Sequence, residues 1–150
     1  MDAVTYPNEA VVEFINQNVV PIRVDFDAQP LAKDFDISWT PALLILDQNG
    51  KEHHRTIGFL EAAELISSIV LGIGKTHYDT DKFKEAITSF EQILAKYPGS
   101  DSAPEAIYLT GVSRYKSTHS PLPLKEAYEH LRKDYPQSAW TKRAYPYRLL

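Results

Sequence analysis

The chain has 150 residues, 43% of them hydrophobic and 24% charged, with a net charge of −4 and no cysteine. That length suffices for one ordinary domain or two small ones, and the composition argues against disorder. The missing cysteines exclude disulfides, thiolate zinc sites and thiol nucleophiles within these residues, while the acidic balance gives no long-range attraction for nucleic acid or anionic membranes.

Pro7-Asn8-Glu9 predicts a helix start with Asn8 as the cap, and Val11, Val12, Phe14 and Ile15 supply its apolar stripe. Val20-Pro21-Ile22-Arg23-Val24-Asp25-Phe26 alternates apolar and polar residues, which predicts a strand over 20–26. Leu31 to Phe35 makes at most a short helix. The unbroken apolar run Ala42 to Leu46 predicts a strand covered on both faces, and Gln48-Asn49-Gly50 predicts a turn into a returning strand, Glu52 to Ile57. Glu61 to Leu71 reads as a helix, with Gly72 expected to end it.

From residue 76 onward the pattern is helical throughout. Phe83, Ala86, Ile87, Phe90, Ile93 and Leu94 share a helical face before Pro98-Gly99. Asp101 or Ser102 is placed to cap a helix carrying Ile107, Tyr108 and Val112. Leu124, Ala127, Tyr128 and Leu131 repeat the stripe up to Pro136. Ser138 caps a last segment that Pro146 is expected to break.

Phe90-Glu91 through Tyr97-Pro98, Ser100 and Ala106 recurs as Tyr128-Glu129 through Tyr135-Pro136, Ser138 and Ala144, always 38 residues on. A repeat of roughly 34–47 residues built from helix pairs points to a short α-solenoid of tetratricopeptide type. Charge also changes sign along the chain: residues 1–75 carry five Lys/Arg against eleven Asp/Glu, and 76–150 carry eleven against nine. The change of charge sign places an expected boundary near Lys75, dividing the chain into 1–75 and 76–150.

Among candidate sites, His53-His54 is a poor metal pair, because adjacent strand residues point to opposite faces. Asp25, Asp27, Asp34 and Asp36 suit turn formation better than acid–base catalysis. The tyrosines at 97, 108, 115, 128 and 135 fit a helix-pair core, and Arg132, Lys133, Lys142, Arg143 and Arg148 make the tail basic. No phosphate loop or nucleophile elbow occurs. No metal, cofactor or catalytic residue is therefore assigned, no nucleic-acid or membrane partner is expected, and with no leader visible at Met1-Asp2 the expected location is cytoplasmic.

Ile37-Ser38-Trp39-Thr40-Pro41-Ala42-Leu43-Leu44-Ile45-Leu46-Asp47, followed by Gly50-Lys51, resembles the second half of thioredoxin-like proteins. The opening stretch to Val11 is similar to the segment just after the Cys-x-x-Cys motif of that family. The resemblance implies an α/β thioredoxin-like domain over 1–75, truncated and missing its central strand, followed by the all-α helix-pair region. It further implies that Pro41 is cis and that Trp39, Thr40 and Pro41 face an extended peptide, by strand addition in miniature.

Two functions follow as expectations. One is a redox-inactive binding or scaffold protein with a protein or peptide partner, homo-oligomeric through exposed sheet edges. The other is the C-terminal remainder of a thiol–disulfide (or selenol) oxidoreductase whose Cys-x-x-Cys-type site lies upstream of Met1. The second half resembles bacterial helical-repeat proteins with Tyr-Pro-x-Ser punctuation, so a bacterial source is expected.

Overall fold

A computed structural model describes residues 1–150. Asn8 opens the first helix, its side-chain oxygen accepting from the N–H groups of Ala10 and Val11, and α1 runs Glu9–Asn18. A single turn, α2, covers Leu31–Asp34. The strands β1 (Ala42–Leu46) and β2 (Glu52–Ile57) form one antiparallel hairpin, with Ala42 opposite Ile57 and an irregularity between Ile45 and Leu46. Gly50 takes φ +79° in the connecting turn, a conformation that favours glycine. Asp47 closes the turn by accepting from the N–H groups of Lys51 and Asn49. The Lys51 bond is the chief reason its carboxyl sits below the usual carboxylate range.

Residues 20–26 are not a strand. No backbone hydrogen bond involves Val20 to Val24, Phe26 lies in a turn, and Val20 and Ile22 stay 88% and 81% exposed. Alternation prepares a segment for a ladder, yet a ladder also needs a neighbour, and β1 pairs only with β2. The chain is thus mostly helical with one small two-stranded antiparallel sheet, and the α/β thioredoxin-like architecture expected over 1–75 is not confirmed.

Gly72 does not end its helix either. α3 runs Ala62–Asp79, straight through Gly72 and through the expected boundary at Lys75. A Cβ at Gly72 would overlap the Ile45 side chain, and one at Gly74 would overlap the Phe90 ring. These glycines let the hairpin approach one side of α3 and the next helix approach another. That close approach explains why glycine stands inside the helix despite a propensity cost of about 1 kcal/mol.

The remaining helices are α4 (Phe83–Lys96), α5 (Ser102–Thr118), α6 (Leu122–Asp134) and α7 (Ala139–Ala144), with a 3₁₀ turn over Tyr145–Leu149 where Pro146 sits. The main core joins Val11 of α1 to Leu65, Ile66, Ile69, Val70 and Leu71 of α3, Phe90 and Ile93 of α4, and Ala103 and Ala106 of α5. A smaller cluster holds Ile107, Ala127, Tyr128, Leu131 and Ala144. Both halves of the chain therefore share α3 as a packing element.

The 38-residue repeat is geometric as well as textual. Tyr97 and Tyr135 cap α4 and α6 at (φ, ψ) of (−134°, 48°) and (−133°, 51°), and Ser100 and Ser138 each donate their N–H to the carbonyl of that tyrosine at 3.0 Å. The second tyrosine reaches back: the Tyr135 hydroxyl donates to the Pro98 carbonyl at 2.5 Å, tying the second turn to the first. Tyr135→Phe is expected to cost about 1 kcal/mol in chemical denaturation, the usual worth of one such bond. An unchanged midpoint would show that the bond adds nothing over water.

α5 and α6 cross at Gly111, where a Cβ would lie 2.6 Å from Ala127 Cβ and 2.9 Å from the Pro123 carbonyl oxygen. Gly111→Ala improves helix propensity, yet it should destabilise by about 1–3 kcal/mol because a backbone atom has to move. A raised urea midpoint would show instead that the two helices separate freely.

Candidate functional site

Along the stack the backbone of α3 comes close to that of α5, and α5 to α7, whereas the backbones of α4 and α6 stay apart. The helices therefore bend with α3, α5 and α7 on the tighter side. Side chains spaced one turn apart on α3 and α5 line that inner face: Lys75 and Tyr78 from one helix, Glu105 and Tyr108 from the other. Lys75 Nζ donates to Glu105 Oε1 at 3.0 Å, with both side chains largely covered.

The hairpin closes one end of this face. His54 projects from β2, where its Nε2 lies 3.0 Å from Ser68 Oγ and 3.2 Å from Thr56 Oγ1, and the two hydroxyls lie 2.8 Å apart. Lys75 Nζ approaches the other ring nitrogen, Nδ1, at 3.5 Å, which assigns Nδ1 as acceptor and Nε2–H as donor. Burial pushes the His54 pKa down to about 4, the Lys75 ammonium adds to the fall, and Glu52 opposes it. At neutral pH the imidazole is therefore uncharged. His53 points the other way, buried between Asp79 (2.6 Å) and Asp47 (3.4 Å), so it ties the hairpin turn to the end of α3.

Aromatic side chains close the other end. The Tyr108 and Tyr147 hydroxyls meet at 3.0 Å over stacked rings, and Trp140 packs on Tyr108 with its centroid 5.2 Å away. Burial, then the bond to Tyr108, raises the Tyr147 pKa. Arg143 lies over the Trp140 ring at 4.4 Å. At the hairpin end a shallow cleft is lined by His54 and Thr56 of β2, Glu64 and Ser68 of α3, and Ser102 and Glu105 of α5, among others.

This arrangement can hold a polar or aromatic partner group by hydrogen bonds and stacking. It does not assemble a nucleophile. Ser68 is buried in the middle of α3 and shares its hydroxyl with Thr56, so its contact with His54 fastens the hairpin to the helix.

The residues singled out from the sequence lie elsewhere. Trp39 is 68% exposed, Thr40 is exposed and Pro41 is half-buried at the entry to β1, where its carbonyl accepts from the Gly58 N–H at 2.8 Å. The Thr40–Pro41 and Gln29–Pro30 peptide bonds are cis. No hydrogen bond or ion pair joins these three residues to Lys75, Glu105 or Tyr108. Sequence reasoning missed Thr56, Ser68, Lys75, Glu105 and Tyr147. The spacing of Lys75 to Tyr78 and Glu105 to Tyr108 was the available signal, but nothing in one sequence says that two helix faces meet.

Residues 70–100, comprising the second half of α3, α4 and the following turn, are similar to the family described as tetratricopeptide repeat. No curated protein and no solved structure matches the chain.

Proposed function

We propose that the chain is a helical-repeat interaction scaffold that holds a protein partner along the inner face of α3 and α5. The observation that carries this reading is the recurrence of the tetratricopeptide-like turn, once inside the matched 70–100 segment and again at Tyr135, with α3 and α5 side by side within it. Such stacks present a concave surface to a peptide or protein, and this one offers an ion pair, a neutral imidazole and an aromatic cluster in line. In this reading 1–75 is the sheet-bearing part and 76–150 the repeat part, joined through α3. The cysteine-free composition supports a redox-inactive role for these residues.

The thioredoxin-like resemblance and the peptide-facing role of Trp39, Thr40 and Pro41 belong to the same proposal. They are supported by the element order of helix, short helix, hairpin and helix, and by the exposure of Trp39 beside the hairpin. A displayed library of short random peptides, selected on the full chain, tests both parts. Lys75→Ala and Tyr108→Phe should each weaken a selected peptide about tenfold, as expected when a buried polar contact is removed. If Trp39→Ala alone weakens it, the partner surface is the hairpin entry. If no variant weakens any selected peptide, the scaffold reading of both faces fails.

A further inference from the structure

Two surfaces outside the inner face carry opposite charge around exposed aromatic groups. The first is the turn Asp25-Phe26-Asp27-Ala28, closed by the Ala28 N–H donating to the Asp25 carbonyl at 3.0 Å. It holds Phe26, 54% exposed, between two exposed carboxylates, at the end of the unpaired segment whose Val20 and Ile22 also face solvent. The second lies at the far end of the chain. Arg132 sits over the Tyr128 ring at 6.0 Å, Tyr128 meets Tyr145 edge-on at 6.2 Å, and Arg148 covers Tyr145 at 3.7 Å. Two guanidinium groups therefore flank one aromatic pair, with Tyr145 and Leu149 left 52% and 76% exposed beside them.

We propose that these surfaces dock on each other between copies of this chain, the Asp25-Phe26-Asp27 turn of one copy seating against Arg132, Tyr145 and Arg148 of the next. The chemistry is matched in order, with carboxylate, aromatic and carboxylate meeting guanidinium, aromatic and guanidinium. The halves carrying the two surfaces have net charges of −6 and +2, so the long-range field favours the same head-to-tail approach. An arginine already stacked on a tyrosine loses little further freedom on pairing with a carboxylate, and it presents a fixed fork to it. Because the two surfaces differ, the contact is heterologous and each copy keeps one free end. Association then grows with concentration past a symmetric dimer, into a ring where the rotation between copies closes and an open chain where it does not. This proposal is independent of the scaffold reading, since neither surface includes the inner face of α3 and α5.

Sedimentation velocity of the full chain at low salt tests it, with far-UV circular dichroism confirming that each variant is folded. The wild type should show a mass that rises with concentration above the 17.0 kDa monomer, and added salt should lower it. Arg132→Glu with Arg148→Glu should give a monomer, and so should Asp25→Lys with Asp27→Lys. Mixing the two reversed proteins should restore association, because each then meets its complement at both ends. A monomeric wild type across the micromolar range overturns the proposal. So does association that ignores salt and both charge reversals, the behaviour expected if copies pair through the free edge of β1.

Discussion

Phe90→Ala should lower the unfolding free energy by about 3–5 kcal/mol, the usual cost of emptying a fully buried aromatic site. Phe90 is completely covered, and its ring lies against Gly74 of α3 in the main core. The same contact makes the effect conditional. In the wild type, Gly74→Ala should destabilise by about 1–3 kcal/mol, because the added methyl overlaps the ring. Once the ring is gone that methyl enters the vacated space, and alanine then gains up to about 1 kcal/mol of helix propensity over glycine. Urea unfolding of the four proteins in this cycle measures the coupling directly. Additive losses would mean that α3 and α4 do not meet at Gly74 and Phe90, and the packing of the first helix pair would need another account.

Acid sensitivity should come in part from His54. Its ring is uncharged when folded because its pKa sits near 4, against 6.5 for the free side chain. Between those two values the unfolded chain binds the proton more readily than the folded chain. Stability contributed by this group is therefore complete above about pH 6.5 and is lost as the pH falls towards 4. The shift corresponds to on the order of 3 kcal/mol, with part of the group's edge open to water. His54→Gln keeps a polar side chain between Ser68 and Lys75 but removes the titration. Its unfolding free energy should fall less steeply than the wild type's between pH 6.5 and 4.5, whereas the two proteins should respond alike above pH 7. Parallel pH dependences over the whole range would show that the imidazole is solvated, and that the hairpin does not close over Ser68.

Much of the local structure was legible from residue order. Asn8 and Ser138 cap helices with their side chains, Pro146 ends α7, and the Asp47-to-Lys51 turn joins the two predicted strands of the hairpin. Those features depend on neighbours within a few residues, so short spacing carries them. The 38-residue repeat was legible for a related reason, since the same turn is built twice from the same residues. The failures share the opposite origin. Val20 to Phe26 has the period of a strand, but a strand exists only where a partner presents its own backbone, and none does. Gly72 has the look of a helix stop, but its reason for being glycine is Ile45, which packs on it from the hairpin.

The sequence by itself determined the caps, the turns, the helical stripes and the repeat, because each follows from residue type and near spacing. Tertiary structure alone decided which faces meet. It ran α3 through both halves, brought His54 from a strand to Ser68 and Lys75 of a helix, and set Glu105 and Tyr108 beside them. Those contacts join residues 14 to 30 positions apart. Their energy comes from burial and hydrogen bonding between distant segments, which no periodicity along a single chain encodes.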